Sequence, residues 1–495
     1  MILLRILLVL AQLKDLQIMF KQSLKSSIGI YFFLIGTFTS NISSAIANTR
    51  SISTQKLLSK DNIKFKDIPR IITSNNLELK SLQELVTSAS YNLTSEISKR
   101  YPSLNLNANG LPQYLYGKNY NDTANTKTSQ FKANPSLNLR WDLINPQRGL
   151  EINSARKNYE IARNNYEIKK YDLIQEAKSR YHNFHKSYEN RQNASVAVDL
   201  SLLSLKDAKS KLETGIGTKF DVLEANTQLL RDKQFLEEKK VIEEINKISL
   251  KEILNLDFKR ELNIDSKQKI MGFWNYKLNE NINNGLEKSL SLKNINLQGL
   301  IKKNQAKIFK SANLPVIYIS NNFSSSFSKG STLTNKIEPE DTQSSYLNTI
   351  SLNFSWNIFN GGRNINSTKA KNSEYESEKY AYSNLTNILK KNITEAYLTL
   401  LKNQTKVIST KQEIKTSKEA LRLSRLRYEV GISTLKDVLL RQQELTHART
   451  KNIDAIYNYN INIDKLERLT FLKKSSECLE INTDKKNKIY SLCNF

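Results

Sequence analysis

The chain has 495 residues, with 75 Lys and Arg against 48 Asp and Glu, a formal charge of +27. Only 7 Pro and 14 Gly occur, which argues against a loop-rich fold, and 2 Cys exclude a disulfide scaffold. The basic residues are interspersed with acidic ones through long periodic stretches such as 206–240, and no basic block carries interleaved aromatics. The charge therefore reads as a solvated helix surface, and no nucleic-acid partner is expected.

Residues 1–47 read as a secretory signal peptide. A basic start from Met19, an apolar core over Ile28–Phe38 and the small-residue site Ser44-Ala45-Ile46-Ala47 are its three parts, with cleavage expected after Ala47. Met1 and Met19 both remain possible starts. Residues 48–76 are expected to be a linker. No later segment is apolar for the roughly 20 residues that a spanning helix needs, so any membrane crossing must use strands.

A first repeat is expected over 77–257. Two alternating segments, about 103–111 and about 136–144, read as strands, with Leu104, Leu106 and Ala108 in the first and Leu137, Leu139, Trp141 and Leu143 in the second. A helix of about 150–213 follows, free of Pro and Gly, with a seam at Ile152, Ala155, Tyr159, Ala162 and Tyr166. Such a helix would extend about 95 Å and needs equally long partners. It ends at the tip 214–218, and a return helix runs to about 256. Residues 258–285 connect to a second repeat over 286–470, with strands at about 316–327 and 347–359. Its long helix covers about 365–430, with Leu400, Val407, Ile414, Leu421 and Tyr428 at heptad intervals. The second tip is 431–434, the return helix about 435–469, and a tail of 471–495 holds Cys478 and Cys493. Disulfide and free thiols are both open for that pair.

The two units are copies. Trp141 and Trp356, in Ser-Leu-Asn-x-x-Trp segments, lie 215 residues apart (356 − 141), and Gly215 and Gly431 lie 216 apart (431 − 215). Unrelated motifs keep one spacing only if the whole unit was duplicated. Each tip reads Gly-Ile-x-Thr-x-x-Asp-Val-Leu: Gly215, Ile216, Gly217, Thr218 and Asp221, then Gly431, Ile432, Ser433, Thr434 and Asp437. The glycines suit positive-φ helix ends, and Thr-x-x-Asp is a capping-box pattern for the next helix.

This order of strand pair, long helix, tip and return helix, twice over, resembles the TolC-like outer-membrane efflux protein family across about residues 80–470. The resemblance implies an α+β membrane protein: a trimeric 12-stranded β-barrel, four strands per chain, continued by a long α-helical coiled-coil barrel. It implies an outer-membrane exit duct with a periplasmic helical domain. The duct would export small molecules or polypeptides together with a periplasmic adaptor and an inner-membrane efflux pump or secretion ATPase. The expected neighbours are two further copies and outer-membrane lipid, with no cofactor and no catalysis. Asp437, Tyr428 and Asp221 become periplasmic gate candidates, against plain capping for the aspartates and a heptad core role for Tyr428. The tip residues 215–218 and 431–434 become adaptor-contact candidates. Trp141 and Trp356 suit a membrane girdle, or a buried place in a soluble hairpin. Two departures stand out: a second acidic residue of the family pattern is Leu440 here, and a basic latch residue is Ser433.

The helix before the first strand is expected to be about three heptads shorter than its counterpart, because Pro102 follows Leu82–Ala89 so soon. His182 and His185 share a helix face without a third metal ligand and are expected at its surface. The alternative of another class is a secreted structural coiled coil without a pore.

Overall fold

The computed structural model describes residues 63–120, 125–259, 262, 270–334 and 341–475. The expected signal peptide over 1–47 and both cysteines lie outside these residues. The elements run α1 (Ile68–Asn75), α2 (Leu77–Ser98), β1 (Ser103–Tyr120), β2 (Asn125–Ile144), α3 (Arg148–Glu213), α4 (Lys219–Ile253), α5 (Leu278–Glu287), α6 (Leu290–Ser311), β3 (Val316–Thr334), β4 (Asp341–Ser355), α7 (Arg363–Glu429) and α8 (Leu435–Thr470).

The four strands form one antiparallel sheet in the order β1-β2-β3-β4, so β2 and β3 join the two repeats and β1 and β4 are its edges. Register sorts the side chains by face. Leu104 pairs with Leu139, Leu106 with Leu137, Leu137 with Phe323, Trp141 with Ile319, and Ile319 with Leu352, which makes one face apolar. The other face carries Asn105 beside Asn138 and Asn322, and Ser136 beside Asn107 and Ser324. There the Ser320 and Ser351 hydroxyls meet at 2.9 Å. Arg140 pairs with Asp142 at 2.9 Å and lies 3.8 Å from the Tyr318 ring centre.

The strands are longer than the expected 103–111, 136–144 and 316–327, and most of the polar stretches 112–134 and 328–345 belong to them. Backbone pairing satisfies a ladder whatever its side chains, so pairing continues where alternation has faded. The last strand stops at Ser355, which leaves Trp356 just past its end rather than within an expected 347–359.

The helix before the first strand is not short. α2 and α6 each have 22 residues. Among the α2 residues only Leu79 is buried within the chain, so no continuous apolar stripe marked its length. Residues 63–76 are likewise more than a linker. Ile63, Ile68, Ile71 and Ile72 pack with Leu173, Tyr181, Phe184 and Leu254 at the middle of α3 and the end of α4. Asn76 caps α2 by accepting from the Leu79 N–H at 3.0 Å, and its amide donates to the Ile253 carbonyl at 3.1 Å.

α3 and α7, of 66 and 67 residues, each extend about 100 Å. α3 packs along α4, α8, α2 and α6, and α7 along α8 and α6. Leu400 and Val407 of the heptad seam join Trp274, Tyr459, Ile463 and Leu466 in a second core, and these two cores midway along the long helices mark the equator. Asn seams hold α3 to α6: Asn164 donates to Asn294 at 2.8 Å, and Asn294 donates to Asn165 at 2.7 Å. Among the described residues no helix is long and apolar enough to cross a membrane.

Candidate functional site

Both tips are built alike, and from local forces. α3 ends at Glu213 and the chain turns at Gly215, whose φ is +78°, while the Ile216 and Gly217 N–H groups donate back to the Lys211 carbonyl at 3.0 and 2.9 Å. In the second copy Gly431 has φ +80°, and Ile432 and Ser433 donate to the Arg427 carbonyl at 2.8 and 3.2 Å. Nothing lies near the position of an added Cβ at either glycine, so backbone conformation alone calls for glycine there. Ile216 and Ile432 stand out into solvent.

Thr218 and Thr434 then open α4 and α8 with complete capping boxes. Asp221 donates its N–H to Thr218 Oγ1 at 3.1 Å, and its carboxylate accepts from the Thr218 N–H at 3.2 Å. Asp437 repeats this with Thr434 at 3.3 and 3.3 Å, and also accepts from the Ser433 hydroxyl at 2.8 Å. The hydroxyls of Ser433 and Thr434, with the Thr434 N–H, hold the Asp437 carboxyl below the usual carboxylate range. Asp437 is exposed and Asp221 half-buried.

Tyr428 is brought to the other repeat by a residue that sequence spacing did not single out. Lys211, in the last turn of α3, donates to the Tyr428 carbonyl at 2.6 Å and lies 3.9 Å from its ring centre. Beneath this contact Ala208, Ala225, Leu435 and Leu439 form a small buried core against Tyr428 and Val222. Burial pushes the Tyr428 phenol up, and the charges of Asp221 and Asp207 add to the shift. The tips therefore come together as a four-helix end. One cation bridges the repeats there, and the carboxylates of Asp221 and Asp437 remain on their own turns. Ser433, at the position where the family pattern has a basic residue, serves the Asp437 cap.

The two tryptophans occupy equivalent places at the other end. Trp141 Nε1 donates to the Arg100 carbonyl at 3.0 Å, and Trp356 Nε1 to the Asn313 carbonyl at 2.8 Å. Both rings are about half exposed at the junction of sheet and helices.

His182 and His185 are not at the surface. Both are buried, and His182 Nε2 lies 3.0 Å from an Asp464 carboxylate oxygen. Lys474 and Lys178 reach the other Asp464 oxygen at 2.9 and 3.5 Å, and Lys178 also pairs with Glu467 at 3.2 Å. This tie joins the first long helix, the last helix and the chain beyond it. Helix periodicity alone cannot reveal such a tie, since its partners lie 282 residues apart. No group of three residues able to hold a metal occurs among the described residues.

The sequence matches the profile of the outer membrane efflux proteins over residues 68–255 and 282–470, which is most of the chain. No curated protein matches it by overall sequence. Similar solved structures include the outer-membrane channel OprN, at 14% identity and TM-score 0.68 over 82% of this chain and 89% of that one. The CmeC outer membrane channel of Campylobacter jejuni has 14% identity and TM-score 0.68 over 82% of this chain and 85% of that one. The outer membrane protein VceC of Vibrio cholerae has 12% identity and TM-score 0.67 over 83% and 97%. With the duplicated strand-and-helix plan and the profile match in both copies, the chain belongs to the outer membrane efflux protein family, whose members are outer-membrane channels with a periplasmic helical domain.

Proposed function

We propose that three copies of this chain close a 12-stranded barrel and form the exit duct of an envelope-spanning export system. The single observation behind this reading is the sheet. Four strands with an apolar face, an Asn- and Ser-rich face and two edges cannot stand alone in lipid, because each edge strand leaves a row of backbone groups unpaired. Pairing β4 of one copy with β1 of the next removes every edge, turns the apolar face to lipid and encloses a polar lumen. An apolar sheet face of this extent argues against a water-soluble coiled-coil rod.

The tips supply the periplasmic entrance. Three copies of Asp437 around the axis make a cation-attracting constriction, with Tyr428 held by Lys211 and with Asp221 behind it. The exposed turns 215–218 and 431–434 present Ile216 and Ile432 to a periplasmic adaptor, which couples the duct to an inner-membrane pump or secretion ATPase. Small molecules and polypeptides are both cargo classes that such a lumen admits. The test is the purified mature protein in a planar bilayer: stepwise conductance from detergent-stable trimers supports the duct. A protein that stays monodisperse without detergent and carries no current overturns it.

A further inference from the structure

Charge is distributed unevenly between the two repeats. α6 carries lysines at 293, 302, 303, 307 and 310 and no acidic residue, whereas α2, its counterpart, holds Glu78, Glu84 and Glu96. Lys293 and Lys302 are paired, with Glu160 and Glu374, at 2.7 and 2.8 Å. Lys303, Lys307 and Lys310 have no ion pair among the described residues, are exposed, and follow one another at helical spacing of four and three along one face toward β3. Arg100 and Arg363 are exposed and without ion pairs at the same level, next to the starts of β1 and α7.

The tryptophans fix the level of this cluster. Trp141 lies on the apolar sheet face, and its indole donates to the carbonyl of Arg100. Trp356 donates to the carbonyl of Asn313, three residues after Lys310. The turns after α2 and α6 therefore sit against the two indoles, with Lys310 three residues before the contacted Asn313. The helix macrodipole accounts for a cation in the last turn of α6, but not for Lys303 two turns back nor for Arg363 at a helix start, where a cation is unfavourable. Within the chain, no carboxylate pairs with the three lysines among the described residues. The acidic side chains near this level include Glu96, Glu151, Asp142 and Glu374, and Lys99, Arg140, Lys302 and Lys371 already engage them. The cluster is thus open to an anion from outside the protein.

We propose that this cluster is a docking belt for anionic phospholipid headgroups, those of the leaflet that meets the periplasmic helices. This rests on the barrel reading above. A phosphate diester held at Lys303, Lys307 and Lys310 would anchor the barrel's depth while the indoles lie at the acyl boundary.

The experiment uses Trp fluorescence of the full trimer, since two of the chain's 3 tryptophans adjoin the belt and the third, Trp274, is buried at the equator. Quenching by brominated phosphatidylglycerol is compared with quenching by brominated phosphatidylcholine. The belt is expected to favour the anionic lipid, and the variant Lys303→Gln/Lys307→Gln/Lys310→Gln to lose more than about tenfold of that preference. The control Lys406→Gln/Lys415→Gln/Lys418→Gln, with lysines exposed toward the far end of α7, is expected to keep it. Equal quenching by both lipids in the unaltered protein, or equal loss in both variants, overturns the belt. So does inorganic phosphate that abolishes the preference where chloride of equal ionic strength does not, because the site would then serve a soluble anion. Conductance in neutral bilayers is read alongside. A belt that fails while current persists leaves the duct intact, and absence of current with no quenching by either lipid removes the duct reading itself.

Discussion

Two aspartates of the last helix, Asp464 at the equator and Asp437 at the tip, are both held below the ordinary carboxylate range, by opposite means. For Asp464 burial works against the charge, and His182, Lys474 and Lys178 outweigh it from other parts of the chain. Asp437 is exposed and draws on hydroxyls and an N–H of its own turn. The interior charge is committed to its partners, because separating them would leave charges stranded away from water. The tip charge can exchange its partners for water at little cost. The equatorial charge is thus the more firmly held of the two, and the proposed gate lies at the end whose charge is easier to release.

The largest effect should come from breaking the equatorial tie. Asp464→Ala removes the buried carboxylate on which His182, Lys178 and Lys474 converge and is expected to cost roughly 3–5 kcal/mol, read as a lower midpoint of urea unfolding. Leu466→Ala, at a side chain with 0% exposure, is expected to cost about 2–5 kcal/mol in the same assay. If both variants unfold like the parent, the equator is not the rigid half.

Acidification sharpens the contrast. Burial pushes the His182 pKa down, so the unfolded chain binds that proton more readily than the folded one. The stability that neutral His182 contributes is present above about pH 6.5 and is lost as pH falls below it. Asp464, with its pKa depressed, adds a second loss as pH falls below about 4 toward its folded value. Thermal midpoints are therefore expected to fall in two stages on the acid side, and His182→Gln should remove the first. A profile flat from pH 7 to 5 would place the histidine outside the stability balance.

At the tips the expected changes are functional first. Lys211→Met removes the cation that bridges the repeats at Tyr428 and is expected to raise single-channel current several-fold, with a stability change of about 1 kcal/mol. Lys209→Met, one face away, should leave the current as it was. Thr434→Ala, which breaks a capping box, is expected to cost about 1 kcal/mol. Smallest of all, Ile432→Ala, at an exposed turn, should stay within about 0.5 kcal/mol of the parent in urea while weakening adaptor capture.

Much of this was legible in the chain. The repeats, the long helices and both tips are local features: a glycine that takes positive φ, a threonine and an aspartate three residues apart, and apolar side chains at heptad intervals. The rest depended on distance or on neighbours. The closeness of Pro102 to Leu82–Ala89 predicts a short α2, whereas the helix begins at Leu77 and shows no apolar stripe within one chain that would mark its length. Alternation predicts shorter hairpins than the structure has, because strand pairing outlasts side-chain alternation. Lys211 and Asp464 gave no signal, because a lysine or aspartate on a helix face reads as solvated until its partner more than two hundred residues away is known.

Sequence by itself determined the order of elements, the duplication and the turns, since helix ends and strand faces answer to residues within one or two turns of the chain. Tertiary structure alone decided which charges are buried, which lysines of α6 have no ion pair among the described residues, and which cation joins the repeats at the tip. Those are matters of dielectric and proximity, and they exist only once distant segments have been packed side by side.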